Sequence, residues 1–183
     1  MSPAEFLKKY ADAFVIACQG TSLFPSVKLA QAALESGWGR SVVGNNMFGI
    51  KASGSQSPYW HGETVTSGTS EWQGGAYVPT SSRFRRYSSV GDSIKDHTWF
   101  LQNNRRYANA GVFSATTPEE QARALQRAGY ATDPSYASKL ISIINTYNLK
   151  QYDSKKKIMK WIEITLSAVM ICFAAWIIYK NTK

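Results

Sequence analysis

Apolar positions recur at helical spacing along most of the chain and give way to a polar, aromatic-rich stretch in its middle. Phe6, Tyr10, Ala13, Phe14 and Ala17 fall on one face of a 3.6-residue repeat and predict a first helix. Ser2, Pro3 and Glu5 supply its N-cap, first-turn proline and capping-box acid. After the breakers from Gly20 to Pro25, Val27, Ala30, Ala33 and Leu34 predict a second helix, stopped at Gly37. The capping spacing returns at Ser89 with Asp92, ahead of Ile94, Thr98 and Leu101. It returns again at Thr117 with Glu120, ahead of the run Ala122–Ala128 that Gly129 ends. Asp133 and Pro134 open a further helix containing Tyr136, Leu140, Ile143 and Ile144.

Residues 38–88 have a different character. They are rich in Gly, Ser, Thr and aromatics, with short β-prone pieces at Glu63–Thr66 and Ala76–Val78. Helices, a β-and-loop insertion and then helices again predict an α+β, mainly helical domain with two lobes and a groove between them.

The end of the chain follows another pattern. Residues 150–160 read as a basic linker containing Lys155, Lys156, Lys157 and Lys160. From Ile164 to Tyr179 there are 16 residues without a charge, with Trp176 and Tyr179 near the end and Lys180 and Lys183 beyond. That run would be about 24 Å long as a helix, against about 30 Å of hydrocarbon in a bilayer. Aromatic ends and flanking lysines suit an anchored span. The expectation is therefore a transmembrane helix over 161–180, a short tail at 181–183, the lipid bilayer as partner and a single-pass membrane location. The lysines ahead of the span would leave the domain on the cytoplasmic side under the positive-inside rule.

Composition narrows the class. At 183 residues, 44% hydrophobic and 18% charged, the chain is globular rather than disordered. Its net charge is +9, of which residues 1–150 carry +5 and the last 33 carry +4. A basic domain suits an acidic polymer or surface; charge is all that favours nucleic acid, so no nucleic-acid partner is expected. Cys18 and Cys172 lie in unrelated contexts, and no Cys/His spacing suggests a metal, so neither a disulfide, a metal nor a cofactor is expected. His61 and His97 stand alone and read as structural or surface residues. The first residues lack the basic start and apolar run of a secretory signal, so export by a cleaved signal is not expected.

Candidate chemistry centres on Glu35. Cleavage of a glycosidic bond needs a carboxylic acid still protonated when it meets the leaving oxygen, and a second group to activate water or stabilise positive charge. Glu35 ends the second helix on the stripe shared with Lys28 and Gln31, and Gly37, Trp38 and Gly39 follow at once. The negative end of the helix dipole disfavours the carboxylate, and a nearby tryptophan would desolvate it; both raise its pKa.

The block from Ala30 to Gly39 (AQAALESGWG), followed by Gly44 to Lys51 (GNNMFGIK), closely resembles glycoside hydrolase family 73. That family includes bacterial autolysins and the hydrolase domains of flagellar rod-assembly proteins. Further blocks from Phe84 to Ser89, Asn104 to Ala108 and Ala128 to Pro134 continue the resemblance in order, over nearly all of residues 3–147. It implies a lysozyme-like fold over residues 1–149, bacterial or phage origin, and cleavage of the β-1,4 bond after N-acetylglucosamine in peptidoglycan. Glu35 would be the catalytic acid. Glu71, in Thr69-Ser70-Glu71-Trp72, is the favoured second acid, with Glu63 its rival. Tyr130 matches a tyrosine facing the acid. Substrate contacts are expected from Gln31, Asn46, Phe48, Lys51 and Asp133, and sugar stacking from Trp38, Trp60, Trp72 and Tyr107. A catalytically silent wall-binding module and a membrane-disrupting lysis factor are the rival classes of function.

Overall fold

The capping signals open helices where the sequence places them. In the computed structural model, α1 spans Pro3–Ala17, with the Ser2 hydroxyl accepting from the Glu5 amide and the Glu5 carboxylate accepting from the Ser2 amide. The backbone is described for residues 1–54, 56–73 and 76–181, and side chains within those ranges except 69–73, 76–80, 168–169, 172–176 and 178–181. Helix α2 spans Pro25–Glu35, and every residue from Pro25 to Ala33 is buried. It is the central helix of the domain. Around it lie α1, α5 (Pro118–Arg127) and α6 (Tyr136–Thr146), with α3 (Val90–Asn103) and α4 (Arg105–Asn109) closing the helical lobe. Phe6, Phe14, Leu29, Met47, Leu101 and Leu140 fill the core, each such side chain contributing about 1.5–3 kcal/mol by leaving water.

The β-lobe is a single antiparallel hairpin, β1 (Thr64–Gln73) and β2 (Ala76–Arg85), paired from Thr64 opposite Arg85 to Gln73 opposite Ala76. Its strands are longer than the short pieces the sequence suggests, because Ser, Thr and Gly dilute the hydrophobic alternation without breaking the pairing. A buried hub fastens the hairpin to α3. Asp96 of α3 accepts from the Arg85 guanidinium (2.9 Å), from the Tyr87 hydroxyl (2.6 Å) and from the Ser57 hydroxyl, while Arg85 lies over the Trp60 ring at 4.2 Å.

The end of the chain requires a correction. Residues 150–181 form one helix, α7 (Lys150–Asn181). Among the described residues, no helix is long and apolar enough to cross a membrane. The expected transmembrane helix at 161–180, its lipid-bilayer partner and the single-pass membrane location are therefore not upheld. Lys155, Lys156, Lys157, Lys160 and Glu163 interrupt the described part of the helix with charge, and a charged side chain near a bilayer centre costs several kcal/mol. Among and beyond them Trp161, Ile162, Ile164, Leu166, Met170 and Ile171 are exposed. The start of α7, expected as linker, packs on the helical lobe instead. Asp153 accepts from the Ser26 amide (2.8 Å) and hydroxyl (2.7 Å), and Lys156 donates to the carbonyls of Thr21 and Leu23, both at 2.8 Å. Helix α2 has no side-chain cap of its own. Asp153 supplies one from across the fold, with its charge at the positive end of the helix dipole.

Candidate active site

Glu35 is the last residue of α2, and the chain turns away sharply behind it. The Trp38 amide donates to the Ala33 carbonyl (2.8 Å) and the Gly37 amide to that of Leu34 (3.4 Å), closing the helix with a left-handed Gly37 at φ 55°. Trp38 is also left-handed, at φ 60°, and packs edge-on to Phe6 and Tyr147 with centroids 5.6 and 4.5 Å away. It thus anchors the turn to α1 and the end of α6, outside the groove lining.

A groove of about 480 Å³ opens at Glu35, lined also by Ser41, Val43, Asn46, Phe48, Gly49, Lys51 and Phe84 and, on β1, by Ser67 and Gly68. The helical lobe therefore supplies the acid, and the hairpin with its preceding loop forms the facing wall. Glu35 is open to the groove by surface area, yet its walls displace enough water to push the carboxyl up to about 7. The two observations agree, because a carboxyl that meets solvent on one concave side remains poorly hydrated overall. A hydrogen bond from the Tyr136 hydroxyl to Oε1 (3.2 Å) acts in the opposite direction but does not cancel burial.

Tyr130 stands beside this pair. A second helix-ending turn places it: the Tyr130 amide donates to the Leu125 carbonyl (3.0 Å) behind the left-handed Gly129. Its ring stacks on Tyr136 with centroids 5.5 Å apart, and its hydroxyl bonds to His97 Nε2 at 2.9 Å. His97 is fully buried and stacked on Phe48 at 3.7 Å. Burial and then the nearby Lys28 hold its pKa well below the ordinary range, so it is neutral. Lys28 lies fully buried beneath the same wall, donating to the Ile94 carbonyl (3.1 Å) and the Thr98 hydroxyl (2.6 Å), and burial brings its amine down to about 8.

The other expected site residues divide. Gln31 is buried and donates to the Tyr136 hydroxyl at 3.1 Å. Asn46 reaches the lining but also bridges the carbonyls of Ile50 (2.9 Å) and Arg85 (3.0 Å), tying the loop to β2. Phe48 and Lys51 line the groove. Tyr107 is buried against Phe100 and Tyr130, and Trp60 is buried under Arg85, so neither offers a free stacking face. Asp133 pairs with Lys139 (2.6 Å) and caps the turn into α6 through the Ser135 amide (2.8 Å). Glu63 lies outside the groove lining, in a separate hollow with Asn45, Arg86, Tyr87 and Ser88. The side chains of Glu71 and Trp72 lie outside the described residues; in the hairpin register they stand opposite Val78 and Tyr77. Tyr136 and His97 carry no signature in the sequence: one sits at a core-like helical position and the other has no partner nearby in sequence.

Comparison with known proteins bears on this arrangement. Residues 11–149 match the Glucosaminidase family, described as mannosyl-glycoprotein endo-beta-N-acetylglucosaminidase. The peptidoglycan hydrolase FlgJ of Pseudomonas aeruginosa is 47% identical over 122 residues, covering 63% of this chain and 29% of the relative. FlgJ of Vibrio parahaemolyticus is 40% identical over 151 residues, covering 78% and 46%. The chain thus spans less than half the length of these curated relatives. Among solved structures, a peptidoglycan hydrolase mutant from Sphingomonas sp. A1 is 36% identical with a TM-score of 0.69, covering 82% of this chain and 97% of that one. The glycoside hydrolase domain of Salmonella typhimurium FlgJ is 34% identical with a TM-score of 0.65, covering 92% and 99%.

Proposed function

The chain belongs to the glucosaminidase family, and from that premise we propose that it hydrolyses the β-1,4 bond following N-acetylglucosamine in peptidoglycan. The observation that carries this reading is the Glu35 carboxyl, raised to about 7 on the floor of a groove of about 480 Å³. A carboxylic acid with that pKa keeps its proton near neutrality and still gives it up readily to a leaving oxygen. A groove between a helical wall and a hairpin suits a glycan strand.

The second carboxylate is assigned to Glu71. Support comes from the groove lining, which includes Ser67 and Gly68 of β1 but not Glu63. Position 71 lies four residues along the same strand from Ser67.

The test is digestion of purified peptidoglycan, with the new reducing ends identified by mass spectrometry after borohydride reduction. Reduced N-acetylglucosamine ends are expected; reduced N-acetylmuramic acid ends, or no digestion, would overturn the assignment. Glu71→Gln should impair turnover far more than Glu63→Gln, and the reverse ranking would transfer the role to Glu63.

A further inference from the structure

The contact between α6 and Glu35 defines more than proximity. Gln31, one turn before Glu35 on α2, donates an amide N–H to the oxygen of the Tyr136 hydroxyl at 3.1 Å. That oxygen lies 3.2 Å from Glu35 Oε1. A phenol has one proton to give; with its oxygen already accepting from Gln31, the remaining direction for that proton is Glu35. The orientation of the Gln31 amide follows from burial. Its Oε1 has no partner among the described residues. Turning the amide over would bury a two-proton donor group in that unpartnered position instead of a carbonyl, and orphaned donors are the rarer case. The chain of bonds therefore runs one way, from Gln31 to Tyr136 to Glu35.

We propose that Tyr136 is a positioning residue that donates to Oε1 of Glu35 and so leaves Oε2 as the oxygen that carries and delivers the catalytic proton. A carboxylic acid protonated on Oε1 would lose the bond from Tyr136, whereas one protonated on Oε2 keeps it. Tyr136 is well placed to enforce the choice. It is 2% exposed and stacked on Tyr130. Its helix is pinned at the first turn by Gln126, which accepts from the Ala137 amide (2.8 Å) and donates to the Pro134 carbonyl (2.9 Å). This rests on Glu35 being the acid. The ionisable groups around the pair are Tyr130 from the α5–α6 turn, Tyr107 and Arg106 from α4, and Lys51 across the groove; Glu71 stands on β1, opposite Val78.

Tyr136→Phe tests it, because the ring and its packing survive while the donor is lost. Loss of a donor to the ionised carboxylate raises the Glu35 pKa. Two readouts are taken on wild type and variant: a carboxyl-carbon NMR titration of Glu35, and the pH profile of kcat/KM on soluble glycan fragments. The titration midpoint and the alkaline limb should both move up by about half a pH unit or more, with kcat down about tenfold or more. Gln31→Met, which keeps Tyr136, should move both in the same direction by less and serves if Tyr136→Phe does not fold. An unmoved or lowered NMR midpoint overturns the inference. A midpoint that moves while the limb stays fixed supports the hydrogen-bond chain and instead overturns Glu35 as the acid.

Discussion

Replacing Glu35 by Gln should inactivate the enzyme and stabilise it, with the stabilisation confined to one pH range. The carboxyl lies at an ordinary 4.5 when the chain is unfolded and at about 7 when folded. Between those values the unfolded state has released its proton and the folded state has not. Fewer protons are bound on unfolding, so stability falls as pH rises from 4.5 to about 7 and stays reduced above that. At about 1.36 kcal/mol per pH unit the ceiling for an interval of 2.5 units is about 3.4 kcal/mol. Glu35 opens onto the groove, so solvent screening reduces this to about 1–2 kcal/mol. Glutamine has the same shape and no charge to desolvate. Urea denaturation followed by tryptophan fluorescence should give equal stabilities for the two proteins near pH 4 and a variant more stable by about 1–2 kcal/mol at pH 8, while wall hydrolysis falls by about 10²–10⁴-fold. A constant stability difference from pH 4 to pH 8 would refute the desolvated-acid account. Retention of more than about a tenth of wild-type turnover would refute the catalytic assignment.

Two further perturbations probe the support beneath the site. Lys28 falls from 10.5 unfolded to about 8 folded, so the unfolded state binds the extra proton between those values and stability rises with pH there; Lys28→Met should abolish that rise, about 3.4 kcal/mol at its ceiling, in denaturation curves from pH 7 to 10.5, and an unchanged slope would show that the amine is hydrated. Asp153→Ala removes the cap that α7 lends to α2. It should cost about 0.5–2 kcal/mol, and thermal unfolding indistinguishable from wild type would show that the start of α7 contributes nothing to the domain.

What the sequence made legible was what local chemistry determines. Ser2 with Glu5, Ser89 with Asp92 and Thr117 with Glu120 each mark a helix start that the structure shows, because a cap is satisfied within four residues. Gly37 and Gly129 mark the stops, and the positions behind them place Glu35 and Tyr130. Relationships across the fold were not legible. Tyr136 reaches Glu35 over a separation of 101 residues, and no pattern near either residue announces it. Trp38 and Tyr107 look like sugar platforms by residue type, yet each finds protein packing within reach. In the tail, lysines beside a charge-free run of 16 residues look like interfacial anchors, yet they are turns of the same helix, and their charge belongs to the described part that is not apolar enough to cross a membrane. Asp153 and Lys156, which look like linker residues, find partners on α2 and on the loop before it.

The way the two lobes are fastened bears on how the acid is held for catalysis. Helix α2 is held at both ends, by Asp153 at its start and by the turn through Gly37 and Trp38 at its end, and it is buried between. The Glu35 carboxyl is thus fixed within the helical lobe together with Gln31 and Tyr136. The hairpin is tied to that lobe at Asp96, where Arg85, Tyr87 and Ser57 converge on one buried carboxylate. The acid and its donors thus belong to one packed unit whose contacts do not depend on the hairpin. Such a division lets the proton donor remain organised before substrate arrives, which is where preorganisation lowers the barrier.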